Sequence, residues 1–286
     1  MKFNIDSPVF TFMGTFADYV LLNCIFLISC IPIITIGPAV TALVSVTMKD
    51  GESIWNPAWQ PVKADLDSYE CHHGLGYSRF KDGLNADLTA FVPLHETCEI
   101  NYLKLRNDSD KEKSISLTSY VEFCFWNAVD DATNFQRNLS IGEVEIDGST
   151  IYHKTEYRER RNHYAFYTVN TPINGFDTSR DEFLGAYGSI EHPKAVVEGT
   201  SYNTVASGGA VIGSHRIDLT LAPGEEKTYI FLLGYAENDD EHKWEALDVI
   251  NKTPAKATIK KFVTDEQVLA ALSSLKEYWN TLLARY

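Results

Sequence analysis

From Tyr19 to Met48 this chain carries no charged residue, and after Asp50 its character changes completely. The run YVLLNCIFLISCIPIITIGPAVTALVSVTM exceeds the ~20 apolar residues that cross a bilayer as a helix. Pro32, Gly37 and Pro38 interrupt it, so a straight helix is expected from Ala17 to about Ile31, followed by a kink or a stop. Only Lys2 precedes a long polar lead, which argues against a secretory signal with its basic start and short apolar run. A buried core helix is the alternative reading of the same residues.

Charge divides at the same place. Lys2 and Lys49 balance Asp6 and Asp18, so the whole formal net charge of −14 falls after residue 49. A surface this acidic repels phosphate backbones and argues against nucleic-acid binding. It suits a cytoplasmic protein that handles neutral ligands. The five cysteines, Cys24, Cys30, Cys71, Cys98 and Cys124, are odd in number and irregular in spacing. Neither a disulfide framework nor a zinc site is expected.

From Leu84 onward the pattern is that of strands. Ile115, Leu117, Ser119, Val121, Phe123 and Phe125 alternate and are expected on one buried face. Cys98 to Leu105 alternates with a phase slip near Tyr102 and Leu103, which predicts a bulge. Val144 and Ile146, then Asp147-Gly148, then Ile151 predict a tight hairpin. Tyr164 to Val169 reads as a further strand. Ile217, Leu219 and Leu221 before Pro223-Gly224, with Tyr229 to Leu233 after it, predict a second hairpin. The fold class is therefore mainly β, an antiparallel β-sandwich rather than a βαβ fold. The C-terminus changes period. Val268, Leu269, Leu272, Leu275, Trp279, Leu282 and Leu283 form a helical stripe, with Thr264 and Gln267 as a capping box. A shorter helix is expected from about His242 to Val249.

Three clusters carry candidate chemistry. The first, WNAVDDATNFQRN from Trp126 to Asn138, sets three Asn, two Asp, one Gln and one Arg among aromatic residues. Amides and carboxylates pair with sugar hydroxyls, and aromatic faces take the C–H side of a ring. A polar loop with Asx turns is the equally weighted alternative. The second, YRERRNHY from Tyr157 to Tyr164, offers Arg158, Arg160 and Arg161 for a phosphate, although Glu156 and Glu159 also make it a plain charged face. The third, YECHHGLGY from Tyr69 to Tyr77, places His72 and His73 on opposite faces of an extended segment, which disfavours chelation by both. Its Gly-x-Gly is too short a signal for nucleotide binding. Asp130 and Asp131 are neighbours rather than an acid and base facing each other across a ring. No catalytic residue and no metal ligand is assigned.

At these clusters the sequence resembles cellobiose phosphorylase and its relatives, the glycoside hydrolase family 94 group formerly called glycosyltransferase family 36. The strings are IWNPAWQPVKADLDSYECHHGLGYSRF, VEFCFWNA, DDATNFQRNLSIGEVEI, IYHKTEYRERRNHYAFY and ASGGAVIGSHRIDLTLAPGE. His72 departs from the pattern, since the family more often has Arg there. Residues 1–49 resemble instead the first membrane segment of the YesL-like group of multi-span proteins, on Asn23 and the string PIITIGPAVTAL, Pro32 to Leu43.

The family resemblance implies a galactose mutarotase-like supersandwich and an inverting phosphorolysis. Phosphate, the co-substrate, attacks the anomeric carbon of a β-linked glucosyl disaccharide while an Asp protonates the leaving oxygen. No cofactor is implied. The resemblance places that Asp on an (α/α)6 barrel after the sandwich. Three segments are thus expected: an apolar membrane-type segment over 1–49, a truncated sandwich over 50–238, and linker helices over 239–286 leading to an absent barrel. The resemblance puts Asn127, Asn134, Gln136 and Arg137 on the acceptor-sugar side of an active site, that of the neighbouring subunit in a homodimer. Asp131 and Asn138 brace the same loop. A fragment inactive alone is the expectation, and a membrane-tethered carbohydrate-binding module, in contact with the bilayer through residues 17–47, is the alternative.

Overall fold

The computed structural model describes residues 45–82, 86–123, 142–155, 162–208 and 210–284. They belong to one compact unit, Leu43–Tyr286. The expected N-terminal helix lies outside the described residues. Among the described residues no helix is long and apolar enough to cross a membrane.

The strands, in chain order, are β1 (Ser45–Asp50), β2 (Ser53–Trp55), β3 (Tyr69–Gly74), β4 (Tyr77–Asp82), β5 (Ala86–Phe91), β6 (Cys98–Arg106), β7 (Lys113–Glu122), β8 (Gly142–Asp147), β9 (Thr150–Thr155), β10 (His163–Val169), β11 (Gly175–Ser179), β12 (Val211–Leu221), β13 (Glu226–Glu237), β14 (Trp244–Ala246) and β15 (Val249–Ile250). A five-stranded sheet runs β11-β12-β7-β1-β2 and an eight-stranded sheet runs β3-β4-β5-β6-β13-β10-β9-β8. The pairings in both are antiparallel. The sheets face each other: the ring of Tyr167 on β10 stacks on that of His215 on β12, with centroids 4.7 Å apart. This is the mainly β, antiparallel sandwich expected from the alternation.

The change of composition at Lys49 and Asp50 falls inside a strand. Ser45 to Lys49 pair residue by residue with Tyr120 to Ser116 of β7. Ser45 to Met48 are uncharged because they are buried on both faces of a strand between two neighbours. The sandwich therefore begins before the boundary that charge suggests, and Ser45 to Thr47 are strand residues of it.

Two further expectations are corrected for a related reason. The phase slip at Tyr102 and Leu103 is not a bulge, because β6 keeps an unbroken register with both neighbours. It arises because Ile100, Asn101, Tyr102 and Leu103 are all buried, at the centre of a sheet covered on both sides. The run around Pro223-Gly224 is not a hairpin either. Ile217 pairs with Leu117 in one sheet, whereas Tyr229 pairs with Leu103 in the other. The chain crosses the sandwich at both 107–112 and 222–225. Asn107 joins the two crossings. Its N–H donates to the Glu225 carbonyl at 3.0 Å, its carbonyl accepts from Gly224 at 2.7 Å, and its Nδ2 donates to the Leu221 carbonyl at 2.9 Å.

The first hairpin is present, with Asp147 opposite Thr150 and Gly148 at φ +61° in the turn. The expected helix near His242 to Val249 is instead a short 3-10 turn followed by the β14–β15 pair. The described residues hold four α-helices: α1 (Arg180–Leu184) and α2 (Lys194–Glu198) lie between β11 and β12, and α3 (Thr253–Ile259) and α4 (Asp265–Leu283) follow β15. The capping box of Thr264 and Gln267 opens α4. Ala255, Phe262, Val268 and Leu275 pack on Ile100, Tyr102, Phe166 and Ile230, covering the outer face of the eight-stranded sheet. Gly234 makes this packing possible, since a Cβ there would lie 2.0 Å from the Phe166 ring.

Candidate functional site at the strand ends

The chain leaves the five-stranded sheet at Glu122 and Phe123 and returns to the eight-stranded sheet at Gly142. The amide-rich cluster lies between these points. Asn127, Asn134, Gln136 and Arg137, with Asp131 and Asn138, are outside the described residues, and so are Arg158, Arg160 and Arg161. The structure nevertheless brings the two clusters' roots together. Gly142, shortly after the first cluster, pairs with Thr155, shortly before the second. A third segment joins them, because Glu143 bridges to Ser207.

The outgoing root is held by stacking. The Phe123 ring lies on the His153 imidazole, with centroids 5.0 Å apart and planes at 24°. Gly213 leaves the space for it: a Cβ would meet Phe123 Cζ at 3.2 Å and Tyr167 Cδ1 at 2.9 Å. Glu122, one residue earlier, accepts from Arg180 Nε at 2.9 Å and from the Tyr120 hydroxyl. Burial pushes the His153 imidazole down to about 3, so it is neutral at physiological pH. His215 is held equally low by burial. Its amide donates to Ser119 Oγ at 3.1 Å, and its Nδ1 lies 3.2 Å from the same hydroxyl. Neutral rings stack without the desolvation cost of a charge.

The returning root is held by charge. Lys154 and Lys252 are buried, at 7% and 6% exposure. Lys252 Nζ lies 2.6 Å from Glu145 Oε2 and 3.2 Å from Glu245 Oε1. Lys154 Nζ lies 3.0 Å from Glu145 Oε1 and 3.1 Å from Glu143 Oε2. The Ile250 amide also donates to Glu145, at 2.9 Å. Burial opposes the Glu145 charge, but the bonds from Lys252, Ile250 and Lys154 outweigh it and hold the carboxyl below the usual carboxylate range. The network ties β8 and β9 to the β14–β15 pair and to the residue before α3. These residues escaped the sequence reading, because two lysines at buried strand and linker positions look like surface charges until their partners are placed.

The third cluster is a hairpin. His73 Nδ1 lies 2.9 Å from Ser78 Oγ and its Nε2 lies 3.2 Å from Cys71 Sγ, whereas His72 faces Glu70 at 3.2 Å. The two histidines do point apart. The Gly-x-Gly serves packing, since a Cβ on Gly76 would meet Trp279 Nε1 at 2.7 Å and one on Gly74 would overlap the Tyr77 ring.

Comparison with known proteins identifies this architecture. Residues 46–262 match the supersandwich domain of glycosyl hydrolase 94. The chain is 34% identical over 232 residues to an N,N'-diacetylchitobiose phosphorylase of Vibrio proteolyticus, covering 75% of this chain and 28% of that protein. A protein of the same name from Vibrio furnissii is 29% identical over 250 residues, covering 84% of this chain and 29% of its own length. A solabiose phosphorylase of Paenibacillus borealis is 32% identical over 200 residues, covering 68% and 26%. The chain thus spans less than a third of the length of these relatives. Among solved structures, a bacterial glucoamylase complexed with acarbose shares the fold at a TM-score of 0.50 and 14% identity, over 83% of this chain and 32% of its own.

Proposed function

Because the chain belongs to the glycosyl hydrolase 94 family, we propose that it is the supersandwich part of a disaccharide phosphorylase and that its segment Asn127 to Asn138 contacts the acceptor sugar. The relatives named above are phosphorylases of N,N'-diacetylchitobiose and solabiose. On this reading Asn127, Asn134, Gln136 and Arg137 bond the acceptor hydroxyls, and the substrate is a β-linked glucosyl disaccharide such as cellobiose. Phosphate attacks the anomeric carbon, the glycosidic C–O bond breaks, and a carboxylic acid protonates the leaving oxygen. The acid and the main phosphate contacts are assigned to a barrel domain, so the 286-residue chain alone binds weakly and does not turn over. A cytoplasmic homodimer completes the reading, with the loop serving the neighbouring subunit.

The observation that carries the loop assignment is the anchoring of both its ends, by Phe123 on His153 and by Glu145 between two buried lysines. A loop that must present side chains to a ligand gains from roots that do not move. The test is glucose 1-phosphate formation from cellobiose and phosphate by the purified chain. Robust turnover would refute the assignment of catalysis to a barrel domain.

The uncharged run before Ser45 favours one second reading, a membrane-tethered carbohydrate-binding module. Carbonate extraction of expressing cells separates the two, since a tethered module stays in the membrane pellet.

A further inference from the structure

The hairpin of β3 and β4 holds an exposed thiol against an imidazole. β3 is an edge strand of the eight-stranded sheet, and all six of its residues are exposed. Its pairing with β4 runs without a slip from Tyr69 opposite Asp82 to Gly74 opposite Tyr77. Cys71 and His73, two positions apart, therefore lie on one face, with Phe80 and Ser78 as their cross-strand partners. His72 lies on the other face, against Glu70 at 3.2 Å.

Cys71 Sγ lies 3.2 Å from His73 Nε2, and His73 Nδ1 lies 2.9 Å from Ser78 Oγ. The imidazole also meets the Phe80 ring edge to face, with centroids 6.3 Å apart and planes at 87°. A hydroxyl and an aromatic ring thus fix the imidazole while its second nitrogen faces the thiol. The hairpin itself is anchored on α4. Lys276 Nζ lies 4.5 Å from the centre of the Tyr77 ring, and Gly76, at φ +79°, lets the turn sit against Trp279. The thiol is open to solvent, yet its surroundings are built.

A nucleophile within reach of a base that a third group orients is the arrangement that activates side chains for covalent chemistry. With the Nδ1 proton donated to Ser78 Oγ, Nε2 presents a lone pair to the thiol. Cys98 gives the contrast. It is buried, and burial pushes its thiol up to about 12, so it stays protonated and enclosed.

We propose that Cys71 is a modification site, a nucleophilic thiol that His73 activates toward small disulfides. The imidazole takes the thiol proton as Sγ attacks one sulfur of the disulfide. A new S–S bond forms to Cys71, the old S–S bond breaks, and the departing thiolate recovers the proton from the imidazolium. The disulfide is the oxidant, and Cys71 ends as a mixed disulfide on an open sheet edge. Such an edge suits a small reagent that needs no enclosing pocket. Ser78 is a positioning residue, which keeps Nε2 turned toward the sulfur.

The test is the rate at which the full chain forms a mixed disulfide with hydroxyethyl disulfide, a neutral probe, near neutral pH, read at each cysteine by peptide mass mapping. Cys71 is expected to react at least about tenfold faster than it does in His73→Gln. Ser78→Ala should slow it too, and Ser78→Thr should restore the rate. His72→Gln should leave the rate unchanged, because that ring faces away. These side chains are exposed or half-buried, and circular dichroism checks that each variant keeps its sheets. Equal rates at Cys71 in the parent and His73→Gln, an unchanged rate in Ser78→Ala, an equal loss in His72→Gln, or a fast label confined to another cysteine would overturn the proposal.

Discussion

Phe123 lies flat on His153, 5.0 Å between ring centroids, and so fixes the last described residue before the amide-rich segment to a strand of the opposite sheet. Replacing Phe123 with Ala removes the stacking and part of the packing around Gly213. A loss of about 2–3 kcal/mol is expected, below the full range for buried Phe because the ring is only partly buried. Urea unfolding of the two proteins measures it.

The same ring makes stability depend on acid. His153 and His215 are held near 3 in the fold by burial, against an ordinary value of 6.5. Between these values the unfolded chain binds the extra protons. Their contribution is therefore complete above about pH 6.5 and is lost progressively as pH falls toward 3, up to roughly 4 kcal/mol for each group. His153→Gln should flatten that part of the stability profile while Phe123 retains a planar partner. An unchanged slope between pH 6 and 4 would contradict the buried, neutral assignment.

Glu99 has the opposite sign. Its carboxyl is raised from 4.5 to about 7. The folded protein binds the extra proton, so this contribution is fully present below about pH 4.5 and is lost as pH rises through 7. Glu99→Gln should thus gain up to about 3 kcal/mol relative to the parent at pH 8, and little at pH 4. Thermal melts at the two pH values give the comparison.

Lys252 tests the ion network. Lys252→Met strips Glu145 of its shortest partner and should cost about 2–4 kcal/mol. Adding Glu145→Leu should restore part of the loss, since an apolar pair replaces a half-broken ionic one. Additive losses would show that the two groups act independently.

Asn107 shows why some of the fold was hidden. In the sequence it opens NDSDKEK, an ordinary polar turn; in the fold it joins two crossings that are more than a hundred positions apart. Periodicity located the strands and α4, because burial on one face leaves a repeat in the chain. It was misleading where both faces are buried, as at Ile100 to Leu103 and Ser45 to Met48, since there the alternation disappears. Sheet membership was illegible, so Leu221 and Tyr229 read as hairpin partners although they lie in different sheets. β3 was missed because all six of its residues are exposed and bear no apolar repeat. At the site, the residue types of the amide-rich segment were visible. The supports were not, because Lys154, Lys252 and His153 reveal their burial only once the sheets are assembled.

The proposed sugar-contact role of Asn127 to Asn138 is tested most directly by saturation-transfer NMR of the full chain with cellobiose, beside the triple variant Asn134→Ala, Gln136→Ala, Arg137→Ala. Weak binding, in the millimolar range, is predicted for the parent, with transfer strongest to one sugar unit and lost in the variant. Equal transfer in a folded triple variant, or none in the parent, would contradict the account.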